Sequence, residues 1–221
     1  MKFLIQTIDN EILHDFSFTL IESCRYQKWL GNIMTYELSE DIKPGYIPIG
    51  SVDFVSNYLS TYYQVDVKPR NIPIELMDNF FSGRKIINGT EKDINGEKFV
   101  KSNDKIKLFT DICSTAPIGN YQISDIIDIE SEWRVFVYNG KMVGLQNYSG
   151  DFAIFPNIEK ILKMIHEYKS QPIAYTLDVA ISNDNTVIIE VHDFFSCGLY
   201  GFSDHRLLPF MFSKTFYSLI K

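Results

Sequence analysis

The sequence predicts an α+β protein with a sheet-rich core. Aromatic residues make up 14% of the 221 residues, including 17 Phe and 13 Tyr, and such side chains bury large areas and are favoured in strands. Two hairpin patterns in the second half of the chain predict strands, and apolar residues at helical spacing predict helices. At this length we expect one large domain or two small ones that share a core.

Charge and cysteine content narrow the class of protein. The formal net charge is −7 and the sequence pI is about 5.1, which argues against a nucleic-acid partner but leaves room for a local basic pocket that attracts phosphate. The isolated Cys24, Cys113 and Cys197 support neither a zinc site nor a disulfide framework. We find no signal peptide and no apolar run that could span a bilayer. A cytoplasmic protein without a membrane partner is therefore expected, and its oligomeric state is undetermined.

The first 70 residues predict a small α/β module. Residues 2–8 form the first strand candidate, and residues 46–50 form a second that ends in a glycine turn. Ser51 is placed to cap a helix whose apolar positions repeat with helical spacing. Two prolines in residues 68–76 indicate a connector to the rest of the chain.

The first hairpin covers residues 132–145. Asn139 and Gly140 between two alternating strands predict a two-residue turn, because both turn positions need positive φ. An unbroken register from that turn places Arg134 opposite Leu145.

The second hairpin covers residues 175–192 and brings acids together. A turn centred on Asp184 places Asp178 opposite Glu190, with His192 further along the same face. Facing carboxylates repel unless solvent, a shared proton or a cation separates them. Because this face also carries apolar residues, we favour a divalent cation, and magnesium suits carboxylates that also meet phosphate. Helices are predicted at residues 156–170 and, near the end of the chain, at about residues 204–220.

Cationic side chains add the second half of the predicted site. Lys101 follows a strand pattern, and a lysine at that position is equally explained as a solvated strand end. Arg134 lies within a strand, where a half-buried guanidinium needs an anion: Glu130, Glu132 or a bound triphosphate. Two carboxylates with a Lys and an Arg are the minimum needed to handle ATP. The P-loop, Rossmann and protein-kinase motifs are absent from the sequence.

Four segments together resemble the ATP-grasp superfamily, and within it a compact clade found in bacteria and their phages. They read FVKSNDKIKLF, SEWRVFVYNGKMVG, YTLDVAI and VIIEVHDFFSCGLYGF. The resemblance implies an ATP-grasp fold, in which two α+β subdomains sandwich ATP. It divides the chain into a small α/β pre-ATP-grasp domain, residues 1–70, and an ATP-grasp domain, residues 71–221.

The resemblance also implies a role for each candidate residue. Phosphate-binding cations would be Lys101, Lys107 and Arg84, and Arg134 would meet phosphate or an acyl-phosphate intermediate. The remaining assignments are Ile123, Ser124 and Asp125 for the adenine and ribose, and Asp178, Glu190 and His192 for Mg²⁺. The lysine loop after Lys101 lacks the glycines of larger relatives. His192 stands where the family usually has an Asn ligand, so this position departs from the pattern.

The implied activity is that of an ATP- and Mg²⁺-dependent carboxylate–amine ligase. Its partners would be small-molecule or peptide carboxylates and amines, with an amino-acid or peptide substrate favoured. Two alternatives stay open at this point. Asp178, Glu190 and His192 also imitate the acidic centre of a metal-dependent nuclease, and the departure at His192 is compatible with a catalytically inactive ATP-grasp scaffold.

Overall fold

The structure is a computed structural model that describes all 221 residues. Its eleven strands and five α-helices follow one another in a mixed order. The strands are β1 (Lys2–Gln6), β2 (Thr35–Ser39), β3 (Ile47–Ile49), β4 (Ile86–Thr90), β5 (Lys98–Ser102), β6 (Thr110–Cys113), β7 (Asn120–Ser124), β8 (Ser131–Tyr138), β9 (Lys141–Gly150), β10 (Ala174–Ser182) and β11 (Asn185–Asp193). The helices are α1 (Asp15–Trp29), α2 (Val52–Tyr63), α3 (Asn79–Ser82), α4 (Ile158–Glu167) and α5 (Leu208–Leu219). None of the helices has the length and apolar character that crossing a bilayer requires.

The chain forms two compact units. The first contains Met1–Val67, Pro172–Tyr175 and Asp193–Lys221, and the second contains Lys68–Gln171 and Thr176–His192. The first segment of the first unit ends at Val67, where the predicted connector of residues 68–76 begins. Assignment of residues 1–70 and 71–221 to a pre-ATP-grasp and an ATP-grasp domain remains a prediction.

The first unit is built on a parallel sheet with strand order β2-β1-β3. The predicted strand, glycine turn and helix near residue 50 are confirmed, since the Ser51 hydroxyl accepts a hydrogen bond from the Phe54 amide at the start of α2. The sequence did not predict α1. Its buried face mixes Ser23 and Gln27 with apolar residues, so the periodic apolar signal of a helix is weak there.

The second unit contains the larger sheets. One has strand order β4-β7-β5-β6 and is antiparallel in each pairing. The other has strand order β11-β10-β8-β9. Helix α4 packs against β9, and its first turn is capped by Asn157, whose side chain accepts from the Lys160 amide.

The β8–β9 hairpin has the predicted turn but a different register. Asn139 and Gly140 have φ of 50° and 69°, which confirms the turn. An irregularity between Phe136 and Val137 then shifts the pairing, so that Arg134 lies opposite Gln146. The predicted pairing of Arg134 with Leu145 is wrong by one residue, because a β-bulge adds an unpaired residue to one strand.

The remaining predicted elements agree in position but not in length. The β10–β11 turn consists of Asn183 and Asp184, both at positive φ. Helix α4 lies inside the predicted range 156–170. Helix α5 begins at Leu208, later than predicted, because a turn held by Asp204 precedes it and Pro209 occupies its first turn.

Candidate active site

Three potential metal ligands converge on β10 and β11. Asp178 lies on β10 and is 1% exposed, while Glu190 and His192 lie on β11. One ligand atom from each residue lies within 4.8 Å of the others, and His192 Nε2 is in contact with Glu190 Oε1. The structure thus brings together the three residues that the sequence analysis grouped.

Arg134 makes a two-point ion pair with Asp178. It is carried by β8, the neighbour of β10 in the sheet, and its Nε and Nη2 donate to Oδ1 and Oδ2 of Asp178 at 2.8 and 2.6 Å. Both side chains are buried. A partner on β10 was not among the anions considered from the sequence, because the adjacency of β8 and β10 is a long-range pairing.

Lys101 reaches the acidic group from the other sheet. It lies on β5, and its Nζ is in contact with Oε2 of Glu190. Burial lowers the pKa of Lys101 to about 8, while Asp178 raises the pKa and Arg134 lowers it. Two cations and two carboxylates therefore form one continuous cluster across two sheets.

Tyr148 lines the Arg134 side of this cluster. Arg134 Cζ lies 5.7 Å from the centre of the Tyr148 ring, and the Tyr148 hydroxyl donates to Glu132 Oε1 at 3.2 Å. Burial, together with the charges of Asp178 and Glu132, raises the pKa of Tyr148 above its usual range. The side chain is thus a neutral phenol. Tyr148 was not predicted as a site residue, since a Tyr within a strand carries no distinctive signal in the sequence.

Arg84 lies beside the strand that bears Glu190. It is 7% exposed, and its Nη1 donates to the carbonyls of Ser82 and Ile188 at 3.0 Å each. Burial lowers the pKa of Arg84 to about 10, and Asp125 raises it, so the guanidinium stays charged at neutral pH. Its position beside β11, through the bond to the Ile188 carbonyl, is compatible with the role predicted for it.

The other predicted nucleotide contacts are three residues at the end of β7 and Lys107 in the loop after β5. Ile123, Ser124 and Asp125 line a cavity of about 140 Å³ at the end of β7. Lys98 donates to Asp125 Oδ1 at 2.7 Å there, and this ion pair lowers the pKa of Asp125. Lys107 is exposed in the loop between β5 and β6, where the structure shows no ion pair for it.

The connector that contains Asn71 and Ile72 forms hydrogen bonds to strands that carry or flank the cluster. Asn71 is 2% exposed, and its Nδ2 donates to the Ser102 carbonyl at 2.9 Å. Its own carbonyl accepts from the Val191 amide at 2.9 Å. The Gln122 side chain accepts from the Ile72 amide and donates to the Ile72 carbonyl. From the sequence this segment was predicted only as a connector, although Asn is one of the residues enriched at the positive φ that Asn71 adopts.

Taken together, the two antiparallel sheets and the shared cluster of cations and carboxylates define a protein of the ATP-grasp class. The model of the ATP-grasp domain, R2K clade family 2, matches residues 81–209, which is more than half of the chain. The chain belongs to this family. No curated protein matches it in sequence.

Solved structures confirm the ATP-grasp fold. D-alanine–D-alanine ligase from Bacillus anthracis, complexed with ATP, is 10% identical with a TM-score of 0.53, and the match covers 99% of this chain and 97% of that one. The ATP-grasp ligase PsnB, complexed with a minimal precursor, is 11% identical with a TM-score of 0.55 over 96% and 99%. N5-carboxyaminoimidazole synthetase from Staphylococcus aureus is 8% identical with a TM-score of 0.59 over 96% and 77%.

Proposed function

We propose that this protein is an ATP- and Mg²⁺-dependent ligase that joins a carboxylate to an amine through an acyl phosphate. The observation that carries the proposal is the cluster in which Lys101 and Arg134 meet Glu190 and Asp178. Family membership supports the use of ATP. Phosphoryl transfer needs positioning and charge neutralisation more than a protein nucleophile, and this cluster supplies both.

The two cations would bind the anionic oxygens. Lys101 is a point charge suited to the transferred phosphoryl group, whereas Arg134 presents a planar fork that matches two oxygens of a phosphate or carboxylate. In the structure Asp178 occupies that fork through Nε and Nη2 of Arg134, so a phosphate or carboxylate oxygen that binds there would take the place of Asp178. We assign Arg84, Lys107 and the segment of Ile123, Ser124 and Asp125 to the remaining nucleotide contacts as predicted from the resemblance.

Donor chemistry supports a divalent cation at Asp178 and Glu190. Two carboxylates with His192 can offer three ligand atoms within 4.8 Å of one another, and oxygen ligands suit Mg²⁺. The imidazole nitrogen would widen the range to Mn²⁺ or Zn²⁺. When bound, such an ion supplies neutralisation of phosphate charge. The protein's own part is to orient the carboxylates and to exclude water around them.

We infer that the substrate is an amino acid or a peptide, and two of the similar structures support this inference. The similar structures include a ligase of D-alanine to D-alanine and a ligase seen with a precursor. We infer also that residues 71–221 make up the ATP-grasp domain and residues 1–70 the preceding domain, in a cytoplasmic protein.

Calorimetry tests the nucleotide site first. We expect ATP to bind wild type in the presence of Mg²⁺, and Glu190→Gln to weaken binding by at least about tenfold because a carboxylate at the metal position is lost. Glu159→Gln, an exposed position on α4, is the matched control and should bind as wild type does. Equal binding by both variants would remove Glu190 from the site.

Turnover separates a ligase from the two alternatives. With ATP, Mg²⁺ and mixtures of amino acids or peptides, a ligase releases ADP only when both a carboxylate and an amine are present. A nuclease built on Asp178, Glu190 and His192 would cleave DNA with a divalent cation and without ATP. An inactive scaffold would bind ATP and release no ADP with any pair of substrates.

A further inference from the structure

A cavity in the first unit belongs to none of the features above. Its volume is about 430 Å³, and it lies between the end of α1 and strand β2. Met34 and Tyr36 contribute apolar walls, and Arg25 and Lys28 lie at its rim. Because ligand sites combine an apolar wall with a few charged groups, this cavity has the composition of a binding site.

The strand beside the cavity has a free edge. In the sheet order β2-β1-β3, β2 has a neighbour on one side only. The Thr35 amide donates to Met1, and the Ser39 carbonyl accepts from Thr7, so alternate residues of β2 face β1. Backbone groups of Tyr36 and Leu38 therefore point to the open edge, since successive residues of a strand alternate. Natural proteins usually protect such an edge with proline, lysine or a bulge, and Tyr36 and Leu38 provide none of these.

Large apolar side chains at the end of α1, in the loop that follows it and on β2 stay in solvent. Ile33 is 85% exposed and Trp29 is 78% exposed, and Leu30 and Leu38 are also exposed. Solitary exposed apolar residues are common, but a group of them beside an unpaired strand and a cavity indicates a surface that receives a partner.

The charge of the cavity rim identifies the partner's chemistry. The chain as a whole has a net charge of −7, yet Lys28 and Arg25 face this cavity. Arg25 forms an ion pair with Glu22, with 2.6 Å between Nη1 and Oε1, whereas the structure shows no ion pair for Lys28. The one acid on β2, Glu37, is neutralised by contact with Lys43 and accepts from the Tyr46 hydroxyl. An incoming carboxylate would meet a net positive rim.

We propose that the β2 edge and its cavity bind an extended acidic peptide. The peptide main chain would pair with the amide and carbonyl groups of Tyr36 and Leu38, as an added strand. One apolar side chain would enter the cavity, and a neighbouring Asp or Glu would pair with Lys28. A second copy of this chain is the less suitable occupant, because the only acid on its own β2 strand, Glu37, is already paired with Lys43 and offers no free carboxylate to Lys28. The site needs no nucleotide, and it does not rest on the proposed ligase activity.

Binding of a designed peptide tests the proposal. The probe is an acetylated hexapeptide of alternating valine and glutamate with one phenylalanine, and the comparison peptide has lysine in place of glutamate. In the absence of nucleotide, we expect the acidic peptide to bind at least roughly tenfold more tightly than the basic one. Amide signals of Tyr36 and Leu38 should shift on binding.

Two variants and one control decide the outcome. Lys28→Glu should weaken binding of the acidic peptide by roughly tenfold, while Lys214→Glu, an exposed position on α5, should leave it within about twofold. Leu38→Pro removes an amide that faces the open edge and should abolish binding without breaking the ladder to β1. Equal affinity for both peptides, or an unchanged Lys28→Glu variant, overturns the proposal. Dimerisation of the wild type that Leu38→Pro abolishes would assign the edge to a second copy and also overturn it.

Discussion

The two sheets of the second unit differ in how much core supports them. In the sheet β11-β10-β8-β9, here called the buried sheet, every residue of β10 is buried. In the sheet β4-β7-β5-β6, here called the light sheet, the fully buried core cluster consists of Val100, Tyr121 and Ile123, and three of the four residues of β6 are exposed. A region with few buried apolar contacts opens at low free-energy cost.

The site divides its charges between these two sheets. The buried sheet carries Asp178, Glu190, His192 and Arg134, and the light sheet contributes Lys101. A buried ion pair needs fixed geometry, because a charge without a partner in the interior is costly. The carboxylates therefore lie on the sheet with the larger buried core, and the cation facing them lies on the sheet that we expect to open at lower free-energy cost.

Breaking one ion pair in each sheet should give the largest difference. Asp178→Ala leaves the buried Arg134 guanidinium without its two-point partner, and we expect a loss of about 3–5 kcal/mol in the free energy of unfolding. Asp125→Ala breaks the half-exposed pair with Lys98 and should cost less than about 1 kcal/mol. Urea denaturation measures both, and equal losses would contradict the distinction between the sheets.

Matched valine truncations sharpen the comparison. Val179 and Val100 are both fully buried, and each loses two methyl groups on substitution by alanine, worth about 2 kcal/mol with the cavity left behind. Val179→Ala should lower the global free energy of unfolding. Val100→Ala should speed hydrogen exchange mainly in β5 and β7. Uniformly faster exchange in both variants would show that the sheets unfold together.

Substitutions of Asn71, in the connector between the two sheets, should have a moderate effect on the free energy of unfolding. Asn71→Gly keeps the positive φ of 48° and removes the side-chain hydrogen bonds to Ser102 and Asn103. We expect a loss of about 1–2 kcal/mol in unfolding free energy. Asn71→Ala should cost about 1–2 kcal/mol more, because a left-handed backbone strains any residue with a Cβ. Identical values for the two variants would rule out backbone strain at this position.

Removing a single hydroxyl from each sheet should have the smallest effect. The buried Tyr121 hydroxyl of the light sheet donates to the Pro117 carbonyl at 2.8 Å, and Tyr121→Phe should cost about 1 kcal/mol. The Tyr148 hydroxyl makes a longer bond to Glu132 at 3.2 Å, so Tyr148→Phe should cost less than that. Thermal denaturation of both variants checks the order, and a larger loss for Tyr148→Phe would reverse it.

Local signals made part of this fold predictable. The Asn139-Gly140 turn and the Ser51 cap depend on neighbouring residues only, and both are confirmed. The bulge that moves Arg134 to a position opposite Gln146 has no local signal. Helix α1 was missed because polar residues share its buried face, and the short strands β4, β6 and β7 are defined by non-local pairings.

The candidate site shows the same division. Residue type together with the two hairpin patterns was sufficient to select Arg134, Asp178, Glu190 and His192, which the structure brings together. The pairing of Arg134 with Asp178 was not predictable, because it depends on β8 lying beside β10. Asn71 was not predicted for a related reason, because its hydrogen-bond partners are far away in the sequence. The functional roles assigned to the site residues stay predictions.

The pairing of cations with carboxylates inside the cluster has a thermodynamic consequence. Each phosphate oxygen that binds Lys101 or Arg134 displaces a carboxylate, which then needs another counter-ion. Under the proposed function, the phosphates of the nucleotide replace the carboxylates as partners of Lys101 and Arg134, and the divalent cation replaces these two cations as the partner of the carboxylates. The two ligands should therefore be linked, each raising the affinity of the other by the same factor. An unliganded site of this design is electrically self-compensated, and under the proposed function it would discriminate against either ligand arriving alone.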